Sequence, residues 1–295
     1  VCGTHQDTLV RFGIEQMLKD TGVEIRQGPG CPVCVTTADE IADAITLANS
    51  GVTIAVFGDM MKVPTPIGSL ADANGADVRI VYSIEDAVRL SSEVDKMVFM
   101  AIGFETTSPT TAAVMVEDLP ENFSVYSCHR ILLPALQAII NMGEFHIDGL
   151  IEPGHVAVIT GTKIFDEFSV KYNIPQVVTG FEPLDLLMAT YMLVKQIKEG
   201  RADVENEYKR LVKPEGNVKA FNLVNEVFKP VDRAWRGFPM IPLSAYDLRE
   251  KYDDHNARKI YEDLLSKRAP VKEEIGGCRC GEMLRGIIDP EQCPA

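Results

Sequence analysis

Short apolar runs rich in Val and Ile alternate with amphipathic stretches over the first two-thirds of the chain, and that rhythm leaves few architectures open. Runs such as Val52–Phe57 and Lys96–Ile102 are apolar on both faces, as strands buried in a parallel sheet are. Between them, Ala38–Asn49 puts Ile41, Ala44, Ile45 and Ala48 on one helical face, the pattern of a crossover helix. The fold class is therefore α/β. Further strands are expected at Arg79–Tyr82, Ser124–Ser127, Gly149–Ile151 and Gln176–Thr179, and helices at Glu85–Leu90, Pro109–Met115, Ile131–Asn141 and Leu184–Lys198. Beyond about Glu199 charged helical segments (Val204–Val212, Val218–Phe228, Asp254–Leu265) alternate with Pro-containing turns, and clear strands are not expected. The division that follows is an α/β domain over 1–118, a second over 119–200, and a mainly helical region over 201–295 that ends in a cysteine cluster.

Two echoes point to duplication. Pro29-Gly30-Cys31 resembles Pro153-Gly154-His155, and Gly103-Phe104-Glu105 resembles Gly180-Phe181-Glu182. Two similar Rossmann-like α/β/α domains would then face a cleft, with ligands expected beyond the carboxyl ends of the strands.

With 29 Lys+Arg against 43 Asp+Glu over 295 residues, the net charge is −14, which argues against a nucleic-acid binder. No apolar run approaches the ~18–20 residues of a membrane helix, and no secretory signal precedes the first motif. Seven cysteines, in tight pairs plus loners, do not form a secreted disulfide framework, so a reducing, cytoplasmic setting is expected. The first residue is Val1 and the last three are Cys293-Pro294-Ala295, so both ends read as cut.

Cys2-Gly3-Thr4-His5 sets a thiol three residues from an imidazole at a helix start, where the dipole and the neighbouring His5 both favour a thiolate that binds a soft metal or acts as a nucleophile. Gly28-Pro29-Gly30-Cys31-Pro32-Val33-Cys34 is a CxxC pair in a Gly/Pro-rich loop, spaced for a disulfide or for two bonds to one metal. Cys278-Arg279-Cys280-Gly281, with Cys293 further on, reads as metal ligation. Iron–sulfur clusters take about four thiolates, of which three are present here, and zinc fits the spacing too. Cys128 reads as a small core residue, whereas His129 and His155 fall at strand ends. Glu105 and Glu182 open helices, Gly58-Asp59 is a turn, and His146, His255 and Trp235 read as structural. Neither GxxxxGK[ST] nor GxGxxG occurs, which argues against ATP or NAD chemistry.

Taken in order, Cys2-Gly3-Thr4-His5, Gly28 to Val35, Phe57 to Met61, Ile102 to Thr107, Gly180-Phe181-Glu182-Pro183, Trp235-Arg236-Gly237 and Cys278 to Gly281 resemble the HypD family of [NiFe]-hydrogenase maturation factors over the whole chain. The resemblance implies a scaffold rather than a conventional enzyme. On it, with the small partner HypC, iron receives two cyanide ligands and one carbonyl; the cyanide arrives from HypE and HypF, and the product passes to the hydrogenase large-subunit precursor. It also implies that Cys2 holds the iron with His5 beside it, that Cys31 and Cys34 are a dithiol/disulfide pair, and that Cys278, Cys280 and Cys293 serve a [4Fe–4S] cluster. The loop after Met61 reads Lys-Val-Pro-Thr-Pro-Ile-Gly, a departure from the Pro-Gly-Ser turn expected there. The competing readings are a thiol–disulfide oxidoreductase using Cys31 and Cys34 with a C-terminal zinc site, and a zinc-stabilised interaction protein.

Overall fold

A computed structural model describes residues 1–73, 75–271 and 279–294. Strand β1 (Thr53–Val56), β2 (Val78–Ile80), β3 (Met97–Gly103) and β4 (Phe123–His129) form a parallel sheet in the order β2-β1-β3-β4. Side chains alternate across it. Met97, Phe99 and Ala101 enter one core with Phe123 and Val125, while Val98, Met100 and Ile102 enter another with Tyr126 and Cys128. Both faces of the sheet are thus buried, which explains why the runs read as apolar throughout. Helix Ala38–Asn49 covers the second face, and helices Ile84–Ser91 and Ser108–Met115 contribute to the first. Each large apolar side chain so buried stabilises the fold by about 1.5–3 kcal/mol.

A second parallel sheet runs β5 (Leu150–Pro153), β6 (Gln176–Thr179), β7 (Val204–Asn206), with helix Pro183–Glu199 packed on it through Leu186, Ala189 and Leu193. The α/β class with parallel sheets is as the sequence indicates. The expected helix at Val204–Val212 is instead β7 followed by turns, and the region after Glu199 is not mainly helical. Phe228–Ala234 (β8) and Met240–Leu248 (β9) form an antiparallel hairpin with a register shift between Val231 and Arg233. Pro230, Pro242 and several charges interrupt the apolar alternation there, which hides the strands. Gly237, with φ +77°, supplies the reversal. Helix Val218–Val227 forms as expected, whereas 254–265 is broken into short turns, Ala257–Ile260 and Glu262–Leu265 among them.

The chain divides into two compact units built from separated segments. One comprises Val1–Cys31, Leu132–Phe221 and Gly277–Ala295; the other comprises Pro32–Ile131 and Asn222–Gly276. The sequence rhythm offered three consecutive segments, whereas each unit here is stitched from distant ones. Of the two echoes, Gly103-Phe104-Glu105 and Gly180-Phe181-Glu182 each leave a parallel strand and lead to a helix. Pro29-Gly30-Cys31 follows no strand, unlike Pro153-Gly154-His155.

His129 ends β4 fully buried, with Nε2 3.0 Å from Thr111 Oγ1, and burial holds its pKa down at about 3 against an ordinary 6.5. The unfolded chain binds that proton more readily, so stability falls as pH drops below 6.5, with a limiting slope of about 1.4 kcal/mol per pH unit. Glu40 adds to this at lower pH. Burial alone would raise its pKa, but the guanidiniums of Arg130 and Arg258 hold it at about 2 against 4.5, so its contribution is complete above pH 4.5 and is lost as pH falls toward 2. In urea titrations across this range, His129→Asn should reduce the slope between pH 6.5 and 4.5 by up to about 1.4 kcal/mol per pH unit, leaving the share of buried His5, whose pKa is likewise held at about 3, and the steeper loss below it. A wild-type slope in that variant would contradict the assignment.

Candidate functional site

The first residues are held by the loop that leads to the CxxC pair. The Val1 nitrogen donates to Arg26 O at 3.0 Å, and Gly28 N–H donates to Val1 O at 2.7 Å. This pairing lays Pro29-Gly30-Cys31 along Cys2-Gly3. A Cβ on Gly30 would stand 3.1 Å from Cys2 Cβ and 3.2 Å from Cys2 Cα, so only glycine lets the two segments approach this closely. Two of the sequence motifs therefore meet within one unit. A cavity of about 640 Å³ opens behind the junction, with Val1, Gly28 and Pro29 in its wall alongside Ile139, Ile151 and Ile197.

Cys2 is the N-cap of helix Gly3–Arg11 and is 8% exposed. Burial raises its thiol pKa, an effect partly offset by the nearby backbone N–H groups of His5 and Thr4, though the sulfur makes no capping hydrogen bond. The expected open, already activated thiolate is thus corrected to a covered thiol, whose ionised form the helix start is arranged to receive. His5 does not activate it by charge. The ring is fully buried, its pKa is down at about 3, and Nε2 lies 3.0 Å from Gly180 O. A carbonyl only accepts, so Nε2 carries the proton and Nδ1 keeps its lone pair. Nδ1 is buried and has no hydrogen-bond partner among the described residues.

Phe181 stacks on His5 with ring centroids 4.8 Å apart and meets His155 at 4.9 Å, while its carbonyl accepts from Thr8 Oγ1 at 2.8 Å. Gly180, between β6 and helix Pro183–Glu199, is fixed by crowding, since a Cβ there would lie 2.0 Å from Asp185 Oδ2. His5, Phe181 and His155 are therefore gathered at the carboxyl ends of β5 and β6, where an open parallel sheet receives ligands. The sequence marked His155 and Gly180-Phe181 but did not join them to His5.

Cys31 is the last residue of the first segment of its unit and is half-buried. Cys34 lies in the short helix Pro32–Val35 and is exposed. Thr36 closes that turn, its N–H and hydroxyl both donating to Pro32 O, and Arg236 N–H donates to Val35 O at 2.9 Å. Cys128 is wholly buried in the core, as expected. Cys280 opens the short helix Cys280–Leu284, and Cys293 follows Pro290–Gln292; both are half-buried. Cys278 lies outside the described residues. Among the described residues no three His, Cys, Asp or Glu side chains converge as a metal site. No helix among them is long and apolar enough to cross a membrane.

The described residues thus combine parallel α/β sheets with a buried thiol, Cys2, set against the glycine-rich segment that leads into a CxxC pair. The family model HypD, described as "Hydrogenase formation hypA family", matches residues 1–295. The chain is similar to a hydrogenase expression/formation protein of Methanocaldococcus jannaschii, with 46% identity covering 100% of this chain and 82% of that one. It is also similar to the hydrogenase maturation factors HypD of Rhizobium leguminosarum (40% identity, 99% of this chain, 79% of the other) and of Escherichia coli (38% identity, 100% and 80%). The chain belongs to the HypD family of hydrogenase maturation factors.

Gly30→Ala should force the Cys2 backbone aside by a few tenths of an ångström, destabilise the protein by about 1–3 kcal/mol, and speed alkylation of Cys2 several-fold. Site-resolved mass spectrometry after iodoacetamide treatment measures the rate. An unchanged Cys2 rate would show that the close approach does not govern its cover.

Proposed function

We propose that this maturation factor is the scaffold on which iron, as substrate, receives cyanide and carbonyl ligands in a complex with HypC. In this reading HypE, loaded by HypF, delivers the cyanide, and the finished group passes through HypC to the hydrogenase large-subunit precursor in the cytoplasm. The observation that carries it is the packing of Gly30 on Cys2, which brings the segment bearing Cys31 against the thiol expected to hold the iron. Low-spin iron with such ligands prefers soft sulfur donors, and Cys2 supplies one at a helix start whose backbone N–H groups favour its ionised form. His5, fixed through Nε2–H to Gly180 O, offers its Nδ1 lone pair as an acceptor within the same unit.

Cys31 and Cys34 act here as a thiol pair. Dithiol and disulfide interconvert by exchange, two protein thiols and one external disulfide giving one protein disulfide and two external thiols, which makes the pair a two-electron store beside the iron site. Cys278, Cys280 and Cys293 are the residues that would hold a [4Fe–4S] cluster. The donor set fits in kind, being thiols, with the Arg279 guanidinium beside Cys293 suited to an anionic thiolate group. A bound cluster supplies one-electron transfer.

The decisive test is anaerobic co-purification with HypC, followed by iron, sulfide and zinc analysis, Mössbauer and infrared spectroscopy. Wild type should carry iron bearing cyanide and carbonyl and show their stretches; Cys2→Ala should lose that iron and those stretches, keeping any cluster iron and its circular dichroism. Undiminished stretches in Cys2→Ala would sink the role given to Cys2, and zinc in place of iron would favour a zinc-stabilised oxidoreductase.

A further inference from the structure

Glu40 caps helix Ala38–Asn49 immediately after the CxxC turn, but its surroundings exceed what a cap needs. Its Oε2 accepts from Thr37 N–H at 3.1 Å and from Thr37 Oγ1 at 3.0 Å, and Thr37 Oγ1 in turn accepts from Glu40 N–H at 3.3 Å. A capping box of this kind works well in water and is worth about 1 kcal/mol. Here the carboxylate is only 4% exposed and is bound by Arg130, itself fully buried, and by Arg258, whose Nη2 donates to Oε1 at 3.2 Å. Burying an ion pair gives little net stability, so this arrangement calls for a positional explanation.

Its connections supply one. On one side Glu40 grips Thr37, next to Thr36, whose hydroxyl closes the Cys34 turn onto Pro32 O at 2.8 Å. On the other side Arg130 also donates to Ala234 O at 3.3 Å, and two residues further along Arg236 N–H donates to Val35 O, next to Cys34. The ion pair and the segment it holds thus grip the end of the turn that carries the exposed thiol at two points just after Cys34, namely Val35 and Thr37. Disulfides form within narrow geometric limits, and displacement of a thiol changes how readily the bond is reduced.

We propose that Glu40, held by Arg130, is a positioning residue for Cys34, fixing the end of the turn just after it and thereby setting the balance between dithiol and disulfide at Cys31 and Cys34. The proposal rests on the thiol-pair reading given above. The couple is read in glutathione buffers, where two protein thiols and one glutathione disulfide exchange for one protein disulfide and two glutathione thiols. Glu40→Gln removes the charge. Thr37→Ala leaves the Glu40–Arg130 pair and the Thr37 N–H bond to Oε2 in place and removes the two hydroxyl bonds that tie Glu40 to the turn, so it reports even if Glu40→Gln fails to fold. Thr37→Ser restores the hydroxyl. Arg268→Gln breaks pairs to Asp43 (2.6 Å) and Asp39 (2.9 Å) on the same helix without touching the turn, and so controls for general loosening.

Thr37→Ala, and Glu40→Gln where folded, should shift the midpoint glutathione ratio by about fivefold or more, with Thr37→Ser and Arg268→Gln at the wild-type value. An unchanged midpoint in folded Thr37→Ala overturns the proposal, and so does an equal shift in Arg268→Gln. If wild type forms no disulfide at any ratio, the thiol-pair reading falls and takes this inference with it; a wild type that titrates normally leaves that reading standing whatever the variants do.

Discussion

A carboxylate taken out of water persists only where cations and donors replace the solvent, and Glu40 imposes that requirement on everything around it. Meeting it draws Arg130 from the residue after β4, Arg258 from the region beyond the hairpin, and Thr37 from the edge of the CxxC turn. One turn along the helix, Asp43 repeats the device with Tyr126 and Arg268. Removing one partner from such a pair leaves a buried charge, at a cost of about 3–5 kcal/mol, whereas exchanging the whole set for apolar residues is often neutral. The network therefore accounts for where segments far apart in sequence are placed more than for how tightly the unit holds together. Residues 222–271 are locked to the sheet through it, and the helix it anchors begins where the CxxC turn ends.

The parallel strands were legible because burial on both faces writes itself into consecutive residues. Met97 to Gly103 needs no distant partner to look like a strand. The hairpin was not legible, since β8 and β9 are half-exposed and carry Pro230 and Pro242, and their alternation exists only once the two strands pair. Burial of Cys2 was equally hidden: a Cys-Gly-Thr-His string reads as an exposed turn until Gly30 and Gly180 close over it. The Thr37-x-x-Glu40 capping box can be read locally, but nothing near it announces Arg130 or Arg258, 90 and 218 residues away. The cysteines themselves were visible. Their grouping depends on long-range packing, which spacing does not encode, and the same holds for the division of the chain into interleaved units.

Cysteine chemistry at a covered site and at an exposed one places different demands on the backbone. At Cys2 the sulfur is sheltered, and burial raises its pKa against the pull of the nearby backbone N–H groups. At Cys34 the thiol stands in solvent on a turn whose geometry is held from below by ion pairs. Glycine serves the first and charge the second. The two solutions meet at Cys31, the residue at which the chain passes from one unit to the other.

The two anchors of the Cys2 segment arrive at different times. Gly30, which packs on Cys2, follows it closely in sequence, whereas His5 finds its carbonyl partner at Gly180, 175 residues further along the chain. At ribosomal rates of ~5–20 residues per second, roughly 9–35 s separate the emergence of His5 from that of Gly180. Until then the ring beside the thiol lacks the contact that orients it, so the order of the chain sets how soon the site can be complete, before any partner protein takes part.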